Sequence, residues 1–193
     1  MRDIDIRRAL RRDVDSLHRN DPDTIVIEEL GLCQGLSRVD VAVVNGSVHG
    51  YEIKSERDTL ARLPSQSDTY NRVFDYVTIV TASNHARKIA KAVPNWWGIA
   101  VAVPKRCSLD IENKRPARLN RHVDPVALAQ LLWRDEVLEE LQSLGLADGM
   151  KSKPRRELWK RLATSVRVEQ LGAIVRRRLK QRAPRWRLHE PPR

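Results

Sequence analysis

The sequence predicts an α/β fold with a mixed central β-sheet of about five strands flanked by helices, and a basic helical C-terminal extension. Three segments rich in β-branched residues follow one another closely between Thr24 and Lys54. Two continuous apolar runs, at residues 76–82 and 96–103, are typical of strands buried on both faces. Apolar residues at helical spacing separate and follow these runs, which is the pattern of a sheet covered by helices.

The first predicted elements are a helix and a strand. Ile6, Leu10, Val14 and Leu17 are spaced by four, four and three residues, which places them on one face of a helix of about three turns. The polar sequence Asn-Asp-Pro-Asp then ends this helix. Residues 24–32 are rich in β-branched side chains and predict the first strand.

A β-hairpin follows, with strands at residues 37–44 and 48–54 joined by a tight turn at Asn45-Gly46. A helical stretch at residues 57–74, which Pro64 interrupts, separates this hairpin from the first continuous apolar run. Three strands so close together suit an antiparallel meander.

The rest of the predicted core alternates helices and strands. A helix at residues 84–93 leads to the buried strand at 96–103, and a polar loop with two prolines follows that strand. Asp124 and Pro125 are suited to start a strong helix at residues 125–144. The two later strands are reached through helices, which suits parallel additions to the same sheet.

The last quarter of the chain differs in charge from the rest. We expect a core domain at residues 1–150 and a helical C-terminal extension at residues 151–193, with helices at 154–163 and 166–182 packed on the core. The extension carries fifteen Lys or Arg against three Glu, whereas residues 1–150 carry 21 basic against 22 acidic residues. The whole basic surplus, a net charge of +11, therefore lies in the extension.

A basic block of this kind favours a polyanion, most often nucleic acid, because bound Lys and Arg release counterions from phosphates. A solvated basic helix face that aids solubility is the alternative. We expect DNA as the partner; a protein that supplies targeting and a homodimer are both compatible with the sequence.

Composition also excludes some classes of protein. No run of about 18 apolar residues occurs, so we expect no membrane contact. The charged N-terminus lacks the apolar core of a signal peptide. Cys33 and Cys107 show neither zinc spacing nor a disulfide framework, so we expect two structural thiols and a cytoplasmic location.

Charged side chains interrupt the apolar hairpin. Asp40 stands in its first strand, and Glu52 and Lys54 share one face of the second because residues two apart point the same way. If the turn pairs these strands, Asp40 lies near Glu52, and Glu29 of the preceding strand reaches the same neighbourhood. A divalent cation would relieve the repulsion between such carboxylates, and oxygen ligands select Mg²⁺ or Mn²⁺. An exposed Glu52–Lys54 ion pair is the alternative.

This arrangement resembles the PD-(D/E)XK nuclease superfamily, and within it a small, poorly characterised bacterial branch. Asp40 and the Glu52-Ile53-Lys54 sequence carry the resemblance, on a hairpin that an acid precedes and a helix follows. Val39 replaces the proline of the superfamily's name. The further matching motifs are Glu29-Leu30, Arg38-Val39-Asp40, Tyr51 to Ser55, Gln66 with Tyr70, Phe74-Asp75 and Trp96 to Gly98.

The resemblance implies a restriction-endonuclease-like core and a Mg²⁺-dependent phosphodiesterase that hydrolyses nucleic acid, with Mn²⁺ as a substitute. It implies that Asp40, Glu52 and the backbone carbonyl of Ile53 bind the metal. Glu29 would act through a water molecule or a second metal, and Lys54 would activate the attacking water. The expected substrate-binding residues are Arg38, Gln66, Tyr70, Arg155, Arg156, Arg176 and Arg177.

Two questions stay open at the level of sequence. The first acid of the site is Glu29, Glu28, or Asp13 or Asp15 of the opening helix. The function is that of an active nuclease, of a non-catalytic nucleic-acid-binding module, or of a nuclease subunit that acts only with a partner in a defence or repair assembly.

Overall fold

A computed structural model describes the chain at residues 1–106 and 108–187, the last five of these by backbone alone. The strands within these residues are β1 (Ile25–Leu32), β2 (Ser37–Val44), β3 (Val48–Lys54), β4 (Tyr76–Ala82), β5 (Gly98–Lys105) and β6 (Ser108–Arg115). The helices within them are α1 (Asp3–Leu17), α2 (Leu63–Val73), α3 (Ser83–Ala92), α4 (Pro125–Ala129), α5 (Arg134–Ser143), α6 (Arg155–Ser165) and α7 (Val168–Arg187).

The strands form one mixed sheet in the sequential order β1-β2-β3-β4-β5-β6. β1, β2 and β3 pair antiparallel, β3, β4 and β5 pair parallel, and β6 returns antiparallel to β5. The α/β fold class, the antiparallel meander and the two parallel additions are therefore confirmed. The parallel connections run through α2 and α3, as the alternation of elements requires.

The sixth strand is the main departure from the predicted sheet. Residues 108–115 were expected to lie in a polar loop, but they form β6 at the edge of the sheet. Leu109 and Ile111 alternate with Asp110 and Glu112, and both apolar side chains pack against the cluster beneath α1. An edge strand is solvated along one side and tolerates this many charges, so the apolar alternation of β6 is weak.

Two predicted helices also differ in the structure. The helix expected at residues 125–144 is split into α4 and α5, and the intervening segment ends at Trp133. α2 begins at Leu63, with Pro64 in its first turn, whereas residues 57–62 form turns and bends. Proline suits the first turn of a helix because the missing N–H has no intrahelical partner there.

The two faces of the sheet bury separate apolar clusters. On one face Ile6, Leu10 and Val14 of α1 pack with residues of the central strands such as Ile53 and Val80. The opposite face carries a larger cluster to which α2, α4, α5, α6 and α7 all contribute. The predicted stripe of α1 is thus in the core as far as Val14, while Leu17 is exposed.

The basic C-terminal helices are part of the larger cluster. Leu158, Leu162, Leu171 and Leu179 are fully buried in it. Trp159 is buried beside them, and its indole N–H donates to the carbonyl oxygen of Leu132 at 3.1 Å. Residues on both sides of position 150 therefore share one hydrophobic core.

Cys33 is a buried free thiol whose pKa is raised by burial. Cys107 lies outside the described residues. Among the described helices, none is long and apolar enough to cross a membrane.

Candidate functional site

Asp40 lies where β2, β3 and α1 meet, and both of its carboxylate oxygens have partners. Oδ1 accepts from Arg7 Nη2 at 2.7 Å, and Oδ2 accepts from the backbone N–H of Ile53 at 2.7 Å. Arg7 also donates to the carbonyl oxygen of Asp40 at 3.1 Å. Burial, followed by the negative charge of Glu52, raises the pKa of Asp40 to about 6. Asp40 and Glu52 therefore lie near enough for their charges to interact.

Glu52 is buried at the centre of a closed hydrogen-bond network. Its Oε1 accepts from Lys54 Nζ at 2.7 Å and from Gln66 Nε2 at 2.6 Å. Gln66 Oε1 in turn accepts from Lys54 Nζ at 3.0 Å. Only 2% of Glu52 and 5% of Lys54 is exposed, so the alternative of an exposed ion pair is wrong.

Tyr70 completes the network from α2. Its hydroxyl oxygen lies 2.6 Å from Glu52 Oε2 and 2.7 Å from the carbonyl oxygen of Arg38. A hydroxyl has one proton, so Tyr70 donates to one of these acceptors at a time. Burial and the neighbouring charge of Glu52 raise the pKa of Tyr70, which keeps the phenol protonated. Gln66 and Tyr70, one helical turn apart, both contact the predicted site.

Glu29 reaches this region only through arginine side chains. Its carboxylate lies 3.0 Å from Arg7 Nη2 and 3.5 Å from Arg38 Nη1, and its side chain is 48% exposed. Its backbone φ is 55°. The pairing of β1 with β2 keeps the same register on both sides of it, from Glu28↔Val41 to Leu30↔Val39, so the positive φ is a local distortion of the strand with no inserted residue. The carboxylate of Glu29 faces Arg7 of α1.

The other acids considered for the first position lie elsewhere. Glu28 pairs with Arg11 Nη1 at 3.2 Å, and Asp15 pairs with Arg11 Nε at 3.0 Å. Asp13 lies near Asp110 on the side of β6, and burial raises its pKa. None of these three acids contacts Asp40 or Glu52 among the described residues.

Arg7 is the member of this site that sequence reasoning missed. α1 supplies a cation at the position where an acid was considered, and Arg7 bridges Asp40 and Glu29. A weak signal was present, because Arg7 follows Ile6 in the apolar stripe and therefore borders the buried face of α1. We call Arg7, Asp40, Glu52, Lys54, Gln66 and Tyr70 the polar cluster.

The polar cluster balances its own charges. Arg7 faces Asp40, Lys54 faces Glu52, and no buried polar side-chain atom of the described residues lacks a hydrogen-bond partner. The backbone N–H of Ile53, not its carbonyl, is the group that contacts Asp40. No group of three or more His, Cys, Asp or Glu within the described residues is arranged to hold a metal ion. The expected role of Mg²⁺ is not tested by this geometry and stays a prediction.

Part of the basic extension neutralises acids of the core. Arg177 and Arg178 both pair with buried Glu140, and Lys180 pairs with Asp23. Arg176 is half-buried, and its positive charge lies near Asp75. Arg176 and Arg177 were expected to bind substrate. In the structure Arg177 forms an ion pair with Glu140, and the charge of Arg176 acts on Asp75.

Six further cations of the extension are exposed. We call Lys151, Arg155, Arg156, Lys160, Arg161 and Arg167 the basic face. Arg156 and Lys160 lie one turn apart on α6, and Arg155 lies over the ring of Trp159 at 5.7 Å. None of the six forms an ion pair with a residue in the described part of the chain.

Comparison with known proteins shows what this chain is similar to. The family model described as Bacteriophage P4 protein cII matches residues 7–187. The chain is 24% identical over 160 residues to Protein cII of Enterobacteria phage P4, which covers 83% of this chain and 60% of that relative. The solved structure of SPO1766, a protein of unknown function from Silicibacter pomeroyi, is 20% identical, with a TM-score of 0.44, and covers 76% of this chain and 96% of that one.

The family match corrects the resemblance drawn from the hairpin motif. The family that matches residues 7–187 is not a PD-(D/E)XK nuclease family, and the curated relative is likewise a cII protein. The assignment to the nuclease superfamily is therefore wrong, and so is the nuclease function inferred from it. An Asp followed at a distance by Glu-x-Lys arises easily by chance, and here it forms a charge-balanced cluster. That the protein is an enzyme is not tested by these matches and stays a prediction.

Proposed function

This chain belongs to the Bacteriophage P4 protein cII family, and we propose that it is a nucleic-acid-binding protein that contacts DNA phosphates through the basic face. The observation that carries the proposal is the set of six exposed Lys and Arg side chains without an ion-pair partner in the described residues. Cations placed in this way give affinity for the phosphate backbone with little sequence selectivity.

The distribution of charge supports this proposal. Four cations of α7, at positions 177, 178, 180 and 182, pair with carboxylates of the core. Cations whose only role was to hold the extension on the core would likewise form ion pairs with carboxylates of the core. The cations of the basic face form no such ion pairs within the described residues. α6 is instead held on the core by its buried side chains Leu158, Trp159 and Leu162. The charge of the basic face is therefore available to an external polyanion.

The chain spans 60% of the length of the curated relative it matches.

The test is a comparison of two triple variants. Arg156→Gln/Lys160→Gln/Arg161→Gln removes three charges of the basic face. Arg87→Gln/Lys88→Gln/Lys91→Gln removes three exposed charges of α3, which also lack ion pairs within the described residues. The binding of a fluorescent 30-base-pair DNA is measured by anisotropy over a range of salt concentrations.

The basic-face variant should bind DNA at least about tenfold more weakly at low salt. Its slope of log K against log salt should decrease by up to about 3, because each lost phosphate contact removes about 0.9. The α3 variant should bind as the unmodified chain does. Equal weakening in both variants, or no salt-dependent binding of the unmodified chain, would refute a specific role for the basic face.

A further inference from the structure

A pocket of about 410 Å³ opens on the face of the sheet that α1 covers only in part. Leu10 and Val14 of α1 form one wall, and Leu17, 75% exposed, stands at its rim. Ala100 of β5 lies at the bottom of the pocket, and the pocket is deeper there because the alanine side chain is short. No member of the polar cluster lines the pocket, and Glu52 and Lys54 lie on the opposite face of β3 from its aromatic residues.

Three half-buried aromatic rings line this pocket in a continuous row. His49 stacks on Tyr51, with ring centroids 4.2 Å apart and planes inclined by 20°. Tyr76, the cross-strand neighbour of His49 on β4, has its ring centroid 5.7 Å from that of His49, with the planes inclined by 43°. His49 Nε2 lies 2.8 Å from Thr78 Oγ1, which fixes the ring. Burial lowers the pKa of His49 to about 4, so the imidazole is neutral near pH 7 and the row carries no charge.

The rim of the pocket carries polar side chains that the fold does not use. Asp13 of α1 and Asn113 of β6 both line the pocket, and both are exposed. Neither side chain hydrogen-bonds to another residue in the described part of the chain. The Asn113 amide and the Asp13 carboxylate therefore lie at the rim, next to the aromatic rings, without a hydrogen-bond partner in the described residues.

We propose that this pocket binds a nucleobase, stacked on the row of His49, Tyr51 and Tyr76 and hydrogen-bonded at its edge by Asn113 and Asp13. Aromatic side chains stack on bases with little preference because every base has a π-face. An Asn amide offers the paired donor and acceptor that the edge of a base requires. The volume is within the range of small-ligand pockets.

Charge makes a base a better occupant than a phosphate. Asp13 places a carboxylate at the rim and no cation lines the pocket, although the Arg12 guanidinium interacts with Asp13 from outside the pocket. A phosphate would be repelled, so the sugar and any phosphate of the ligand must point to solvent. The base can belong to a free nucleoside or to a single-stranded nucleic acid. Binding of a nucleoside does not require the basic face, so this inference goes beyond the proposed function.

The experiment is an NMR titration of the full chain with adenosine, guanosine, cytidine and uridine, followed at the aromatic resonances of His49, Tyr51 and Tyr76. At least one nucleoside should give saturable shifts. Asn113→Ala should weaken that binding about fivefold, and Tyr76→Leu about tenfold or more. Lys114→Ala, at the next position along β6 and outside the pocket, is the matched control and should leave binding unchanged.

Asn113 is exposed on an edge strand, so its variant keeps the test valid if Tyr76→Leu fails to fold. The absence of saturable shifts with every nucleoside would overturn the inference, as would equal weakening by Lys114→Ala. Binding of phenol or indole as tightly as the best nucleoside would instead indicate an aromatic side chain of a partner protein.

A second arm uses a 15-nucleotide single strand in the triple variant of the basic face. If this variant binds the strand more weakly but binds the nucleoside as before, the pocket holds the base independently of the phosphate contacts of the basic face. Unchanged strand binding in that variant would count against the proposed function alone.

Discussion

At the residue scale, Glu52 and Lys54 are a buried ion pair whose charges both have further partners. Lys54 Nζ contacts Glu52 and Gln66, and Glu52 also accepts from Gln66 and Tyr70. Removing one member of a buried pair leaves an uncompensated charge and is strongly destabilising, even where the intact pair adds little net stability. The polar cluster therefore ties α2 to β3 and makes their relative position specific.

Asp40 provides a residue-scale prediction of pH dependence. Its folded pKa of about 6 lies above the ordinary value of an aspartate, so the folded state binds more protons than the unfolded state between about pH 4 and pH 6. The stabilising contribution is present at the acid end of this window and is lost as pH rises through it. We expect the difference in free energy of unfolding, unmodified chain minus Asp40→Asn, to fall by on the order of 1–3 kcal/mol from pH 4 to pH 7.

Urea denaturation of both proteins across this range measures the difference. Comparison with Asp40→Asn is needed because His49 acts in the opposite direction. Its lowered pKa destabilises the folded state as pH falls through the same window. A difference that rises with pH would contradict the assignment of a raised pKa to Asp40.

At the element scale, the split between α4 and α5 depends on helix capping. Asp124 Oδ1 accepts from the backbone N–H groups of Val126 and Ala127 at 2.8 and 3.2 Å, which starts α4. Its other oxygen pairs with Arg72 at the C-terminal end of α2. Glu136 accepts from the backbone N–H of Trp133 at 2.8 Å and so starts α5 anew.

We expect Asp124→Ala to destabilise the protein by about 1–2 kcal/mol, because it removes a helix cap together with an ion pair to a second helix. Thermal unfolding followed by circular dichroism measures the loss. Asp148→Ala is the control, since Asp148 is exposed in a turn and has no ion pair within the described residues. Equal stability of the two variants would show that the cap does not stabilise α4.

At the scale of the whole molecule, the larger apolar cluster joins elements from both ends of the chain. β1 and β2 contribute Leu32 and Val44, and α6 and α7 contribute Leu162 and Val175 to the same cluster. A shared core of this kind favours a single cooperative unfolding transition.

Leu162→Ala tests this cooperativity. We expect it to lower the free energy of unfolding by about 2–5 kcal/mol, because the side chain is fully buried, and to shift one common transition seen by circular dichroism and by tryptophan fluorescence. Leu36→Ala, at a side chain that is 79% exposed, should change stability by less than about 0.5 kcal/mol. Two separate transitions, with only one shifted, would instead identify an autonomous extension that starts near residue 151.

Periodicity by itself determined the fold class, most of the apolar stripe of α1, the two strands of the hairpin, and the common neighbourhood of Asp40 and Glu52. These follow from contacts between near neighbours, whose side-chain directions are set by helix and strand geometry. The ion pairs of Arg7 with Asp40 and Glu29 and the aromatic pocket beside α1 were decided only by the tertiary structure. Each depends on how a helix from one part of the chain packs on strands from another, and local spacing does not encode that placement.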